Sequence, residues 1–179
     1  GQDPSYVADH AFHRLVFDGT PYGHPENGTT ETVGRITRSD LVDFHARHYS
    51  PANSILAVVG DLAPDDAARL AEEFFGAWQG RQESAPEVKG PPPAPARRVV
   101  IIDKPDAVQT EIRVGSLGIA RSSPDYFALT VANQVLGGPA TNRLFKALRS
   151  QQGLTYSAAS DLACHRSLGS WVAKTFTRT

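Results

Sequence analysis

Residues 80–97, "GRQESAPEVKGPPPAPAR", hold five prolines and two glycines and almost nothing that a core could bury. Proline lacks an amide hydrogen and fixes φ, so neither a helix nor an inner strand can run through such a stretch. An extended, polyproline-like linker is expected there. The chain must then fold as elements gathered on either side of it. The expected division is residues 1–80, a linker over 81–97, and residues 98–179.

Before the linker, Asp3 and Pro4 read as N-cap and first residue of a helix whose apolar stripe is Val7, Ala11, Phe12, Leu15 and Val16. Asp18-Gly19 stops it, and the polar loop "TPYGHPENGTTETVG" follows. Thr37 or Ser39 caps a second helix with Leu41, Phe44 and His48 on one side. "NSILAVVGD" has the apolar run of a buried strand. Pro64, with Asp65 and Asp66 behind it, opens a third helix running to Trp78.

After the linker, "RRVVIIDKP" and "TEIRVGSLGI" read as strands. Ser123-Pro124 starts a helix that Gly137-Gly138 terminates. Thr141 is a candidate cap for a further helix with Leu144, Phe145 and Leu148 inward. "YSAASDLACH" and "SLGSWVAKTFT" form a strand pair turning around Arg166-Ser167. Helices mixed with hairpin-forming strands, rather than strict strand-helix alternation, give an α+β fold in which an antiparallel sheet is packed by helices.

A formal charge of -1 with 21% charged residues offers no electrostatic reason for a nucleic-acid partner. No apolar run is long enough to span a bilayer. The chain has no methionine, so Gly1 is expected to be a processed end or the edge of an excised piece. Cys164 has no second cysteine to pair with, and His165, its neighbour in a strand, points to the opposite face. His10 with His13, and His45 with His48, lie one helical turn apart, but no carboxylate completes a ligand set beside either pair. "GSLGIA" and "LGGPA" lack the spacing of a phosphate loop and read as turns and caps.

"LRSQQGLTY" sets Arg149 in the last turn of a helix, a helix-breaking Gly153 after it, and Tyr156 at the start of a strand. As an ordinary C-terminal arginine, Arg149 suits the negative end of the helix dipole. If both side chains converge on one concave surface, the guanidinium offers five donors to a peptide carbonyl, and the phenol can donate to a developing oxyanion.

In order along the chain, three stretches carry a resemblance to a known family. "PYGHPENGTTETVGRITRSDLVDFHARHYSPANSILAVVGDL" resembles a run from a Pro-Tyr-Gly loop through a helix to a Tyr-x-Pro-x-Asn turn and a strand ended by Gly-Asp. A helix ending "EEFFGAW" and a variable linker follow. "LGGPATNRLFKALRSQQGLTYS" resembles a segment in which a double glycine precedes Arg-Leu-Phe, then Leu-Arg, then Gly-Leu-x-Tyr. These are similar to the pitrilysin/insulinase family of zinc metallopeptidases, the inverzincins, which include mitochondrial-processing-peptidase-like proteins.

The resemblance implies part of a metallopeptidase fold of the LuxS/processing-peptidase-like kind. Residues 1–80 would be the trailing part of a first family domain and 98–179 the leading part of a second. It implies that Tyr156 hydrogen-bonds the tetrahedral oxyanion, a catalytic role, and that Arg149 holds the substrate backbone. The family's His-x-x-Glu-His segment, which supplies zinc ligands and general base, is absent from this sequence. Zinc is thus expected in a full-length parent and none on this chain, which should hydrolyse nothing alone. The expected partners are a peptide or unfolded polypeptide substrate and a zinc-bearing half or sister subunit. Self-association through unpaired strand edges is also expected. Three readings stay open: part of a zinc-dependent endopeptidase subunit, a non-catalytic partner subunit of a two-chain peptidase, or a structural and assembly homologue of the fold.

Overall fold

A computed structural model describes residues 3–80, 87–91, 97–139 and 141–178. The proline-rich linker expected over 81–97 lies mostly outside the described residues. The chain forms two compact units, Gly1–Asn27 with Glu87–Thr179, and Gly28–Pro86.

The first unit is built on an antiparallel sheet of β1 (Gln109–Leu117), β2 (Ala158–Cys164) and β3 (Gly169–Arg178), in the order β1-β3-β2. Strands β2 and β3 form the expected hairpin, closed by His165 N–H donating to Leu168 O at 2.9 Å. Strand β1 pairs with β3 from Gln109↔Arg178 to Leu117↔Ser170, which places β3 in the centre. Sheet and helices together bear out the α+β expectation.

Helix α1 (Pro4–Val16) starts as its sequence demands: the Asp3 carboxylate accepts from the N–H groups of Ser5 and Tyr6, and Pro4 occupies the first turn. It packs on β1 and buries Phe12. A polar seam runs beside that apolar contact. Arg113 on β1 donates from Nε to Asp9 Oδ1 (2.6 Å), from Nη1 to Glu111 Oε2 (2.8 Å) and from Nη2 to Ser5 Oγ (2.8 Å). After α1, Phe17 is fully buried, with rings of His13, Tyr22 and His165 around it at 6.0, 5.7 and 6.2 Å.

Helix α5 (Tyr126–Gly137) covers β2. Asn133 ties the two together: its Oδ1 accepts from Ser160 Oγ (2.7 Å) and Trp171 Nε1 (3.0 Å), and its Nδ2 donates to Ser160 O (3.0 Å). The helix ends against the strand at Gly137, where a Cβ would lie 2.2 Å from the Ser160 nitrogen. Only a glycine permits that approach.

The second unit holds α2 (Thr30–Arg35), α3 (Arg38–His48) and α4 (Pro64–Phe75). Helix α2 begins within the stretch read as a polar loop and runs one residue past it, and Thr29 and Thr32 close a capping box at its start. Thr37, one of the two candidate caps, starts α3 through a box with Asp40. The Thr37 hydroxyl and N–H both donate to the Asp40 carboxylate and hold its pKa below the ordinary aspartate value. Helix α4 ends at Phe75, short of Trp78.

Two expected strands form no ladder. Residues 54–61 pair with no strand among the described residues, and Ile55 and Val59 are 97% and 98% exposed. Residues 98–103 behave alike, with Ile101 89% exposed. A β-rich apolar run becomes a strand only when a neighbour accepts its hydrogen bonds, and none does among the described residues.

Candidate functional site

The helix-to-strand corner between α5 and β2 carries both residues singled out by the sequence. After Gly137, a buried asparagine organises the turn. Asn142 Nδ2 donates to Gly138 O at 2.6 Å, while its Oδ1 accepts from Phe145 N at 2.7 Å. Asn142, not Thr141, therefore caps α6 (Arg143–Phe145). The amide carries its donor and its acceptor on separate atoms, so it bridges the Gly138 carbonyl and the Phe145 N–H.

From Lys146 to Gln151 the helix widens into a π turn that carries Arg149. Gly153, at φ +64°, ends it. Its N–H donates to Arg149 O (3.1 Å), and Leu154 N–H reaches back to Leu148 O (2.9 Å). This is a Schellman-like closure widened by one residue, and the positive φ is what glycine supplies. π turns occur often at functional positions.

Arg149 and Tyr156 come together. Arg149 Nη1 donates to the main-chain carbonyl of Tyr156 at 2.8 Å, and its Cζ lies 4.0 Å from the centroid of the Tyr156 ring. A second ring, Phe145, lies 5.0 Å from the same Cζ. Both distances fall within the range of cation–π attraction. Tyr156 is 70% exposed, and its hydroxyl has no hydrogen-bond partner among the described residues. It precedes β2 rather than beginning it, because Thr155 Oγ1 bonds both the O and the N of Ser157 and bends the chain there. The bend is anchored to the sheet: Thr175 Oγ1 donates to Ser157 O and Thr177 Oγ1 to Leu154 O, both at 2.9 Å.

The corner can therefore present a phenol O–H and the unengaged donors of a guanidinium from a sheet-anchored frame. Such a pair suits an acceptor that is a carbonyl or carries negative charge. Sequence reasoning placed Phe145 in the helix's inward face and missed its contact with Arg149. The signal was present in the i, i+4 spacing of an aromatic and an arginine.

The other candidates do not assemble. His10 packs on Tyr6 at 4.0 Å, while His13 faces Phe12 and Phe17. His45 stacks on Tyr49 at 5.1 Å, while His48 lies 4.5 Å from Phe44. Among the described residues no three of His, Cys, Asp and Glu gather where they could hold a metal ion, so this donor set does not fit zinc. Cys164 is a free thiol at the end of β2, and His165 stacks on Tyr22 at 5.0 Å. A cleft of about 1550 Å³ runs between α1, residues 97–104 and β1, and includes neither Arg149 nor Tyr156. No helix among the described residues is long and apolar enough to cross a membrane.

Residues 35–178 match the family model described as the peptidase M16 inactive domain. A protein of Mycobacterium leprae named as an uncharacterized zinc protease is 36% identical over 162 residues, covering 89% of this chain and 36% of that protein. Subunit 1 of the rat mitochondrial cytochrome b-c1 complex is 28% identical over 128 residues, covering 70% of this chain and 26% of that subunit. The crystal structure of a peptidase M16 inactive domain from Pseudomonas fluorescens superposes with a TM-score of 0.86 at 32% identity, over 99% of this chain and 42% of that one. The chain thus spans between about a quarter and about a third of the length of these relatives. With the motifs in the expected order, the same fold, and a family model matched across both units, the chain belongs to the peptidase M16 (pitrilysin/insulinase) family, through a domain of the inactive type.

Proposed function

We propose that this chain supplies the substrate-binding and oxyanion-stabilising residues of a zinc-dependent endopeptidase subunit whose metal centre lies outside it. The observation that supports this reading is the joining of Arg149 and Tyr156 at one sheet-anchored corner with the phenol hydroxyl left open. Arg149 offers its remaining donors to the backbone of a bound peptide. Tyr156 donates to the oxygen that gains charge as the scissile carbonyl becomes tetrahedral. In this reading residues 1–80 and 98–179 belong to successive family domains joined by the linker.

Tyr156→Phe, made in the complete zinc-bearing enzyme, tests it. The hydroxyl meets charge that exists only in the transition state, so kcat should fall on the order of a hundredfold, about 3 kcal/mol, with KM little changed. Arg149→Ala should raise KM as well, because a backbone contact already exists in the ground state. An unchanged kcat in Tyr156→Phe would remove the catalytic assignment.

A second reading has its own support. The matched family model is of the inactive type, and one relative is a subunit of the mitochondrial cytochrome b-c1 complex. Under it the chain belongs to a non-catalytic partner of a zinc-bearing sister subunit, or to a structural and assembly homologue. Variants in the partner reading alter the kinetics of the assembled pair. In the structural reading no peptidase kinetics respond to them.

The exposed apolar runs at 54–61 and 98–103 should drive self-association of this 179-residue chain by strand addition or exchange. Light scattering at high concentration should find dimers or larger species, and a strict monomer refutes the idea.

A further inference from the structure

We propose that Phe145 is a positioning residue that, together with the Tyr156 ring, holds the Arg149 guanidinium in place for a peptide carbonyl or carboxylate. The part of this that concerns substrate rests on the function proposed above, whereas the clamp itself does not.

A chain of contacts leads to the guanidinium. Asn142, only 5% exposed, is held by Gly138 O and fixes the N–H of Phe145. Phe145 is the last residue of α6 before the helix widens, and it stands one turn ahead of Arg149. Its ring lies 5.0 Å from Arg149 Cζ, and the Tyr156 ring lies 4.0 Å away. No carboxylate pairs with Arg149 among the described residues, and its one hydrogen bond goes to the Tyr156 carbonyl.

This arrangement differs from ordinary core packing. Phe145 is half-buried, so its ring is not consumed by the interior. A free arginine side chain has four torsions to immobilise when it binds, and prior ordering removes that cost from the binding step. Aromatic faces order the cation without neutralising it. A carboxylate in the same place would hold it as firmly but would occupy the donors needed for the substrate.

Phe145→Leu keeps the apolar bulk and removes the π face, whereas Phe145→Tyr keeps the face. The first measurement needs no activity: the rate at which phenylglyoxal modifies Arg149 in the full chain, followed by peptide mass spectrometry. Phe145→Leu should speed it about two- to fivefold, the equivalent of one exposed cation–π contact, and Phe145→Tyr should leave it as in the parent. Unchanged reactivity in Phe145→Leu overturns the clamp, as does an equal gain in both variants. Thermal melting checks the fold, and Phe145→Met replaces the leucine variant should that one melt early. The second measurement, in the zinc-bearing enzyme, separates the clamp from the function it serves. KM should rise in Phe145→Leu, and the change should add nothing on top of Arg149→Ala. If reactivity rises as expected while KM stays constant, the clamp stands and the substrate-binding role of Arg149 falls.

Discussion

Two arginines in the same structural unit meet opposite surroundings. At the α1–β1 seam, the Arg113 side chain is 6% exposed, and Asp9, Glu111, Ser5 and the Ile112 carbonyl take its donors. Burial works against its charge, but the bonds and attraction from Asp9 and Glu111 outweigh that and hold its pKa above the ordinary arginine value. At the corner, the Arg149 side chain has, among the described residues, one carbonyl bond, two aromatic faces and no carboxylate. A neutralised guanidinium with four of its five donors engaged fastens one element to another, while one ordered by rings leaves its charge unpaired and most of its donors unengaged. Residue type predicts neither role; the occupancy of the donors does.

The contrast can be broken by measurement. Arg113→Leu leaves Glu111 nearly buried and Asp9 partly solvated without their cation. It should cost about 3 kcal/mol, the lower end for removing one partner of a buried pair, because water reaches Asp9. For a chain of this size that lowers Tm by roughly 6 to 12 °C. Arg149→Met, measured in parallel, should cost less than about 1 kcal/mol, since it loses one exposed hydrogen bond and two weak ring contacts. Equal losses in the two variants would erase the distinction, and a reversed order would make Arg149 the structural residue.

The smallest expected effect sharpens the seam itself. Burial pushes the pKa of His13 on α1 below the ordinary 6.5; Asp9 opposes the shift, while Lys174, His10 and His165 reinforce it. The folded state therefore favours the neutral ring, and the unfolded chain takes up the proton first as pH drops. Stability that is present above about pH 6.5 should be lost as pH falls through the folded pKa. Urea midpoints at about pH 7.5 and about pH 5.5 should show the decline, and His13→Gln should flatten it. A midpoint that rises on acidification, or a slope untouched by His13→Gln, would show that another group governs the seam.

Local chemistry made much of this protein legible. The Asp3-Pro4 start of α1, the Thr37 start of α3, the Pro64 start of α4 and the Gly137 end of α5 all sit where capping rules place them. So do the β2–β3 hairpin and the motif order that marks the family. These features depend on residues within a few positions of one another, and a linear reading reaches them. What depended on distant partners was not legible. The runs at 54–61 and 98–103 carry strand chemistry, but pairing requires a neighbour that no propensity supplies. Choosing Asn142 over Thr141 required the Gly138 carbonyl and the Phe145 N–H to meet at one buried point. Arg113 looked like any strand arginine until the fold brought Asp9, 104 positions away, within 2.6 Å of it. Arg149 and Tyr156 could be named from their spacing, but the π turn, the glycine closure and the ring of Phe145 decided that they touch. Composition and order determined the capped helices, the hairpin and the family; tertiary contact decided which apolar runs pair and what each charged group does, because a side chain's chemistry depends on the partners that folding brings to it.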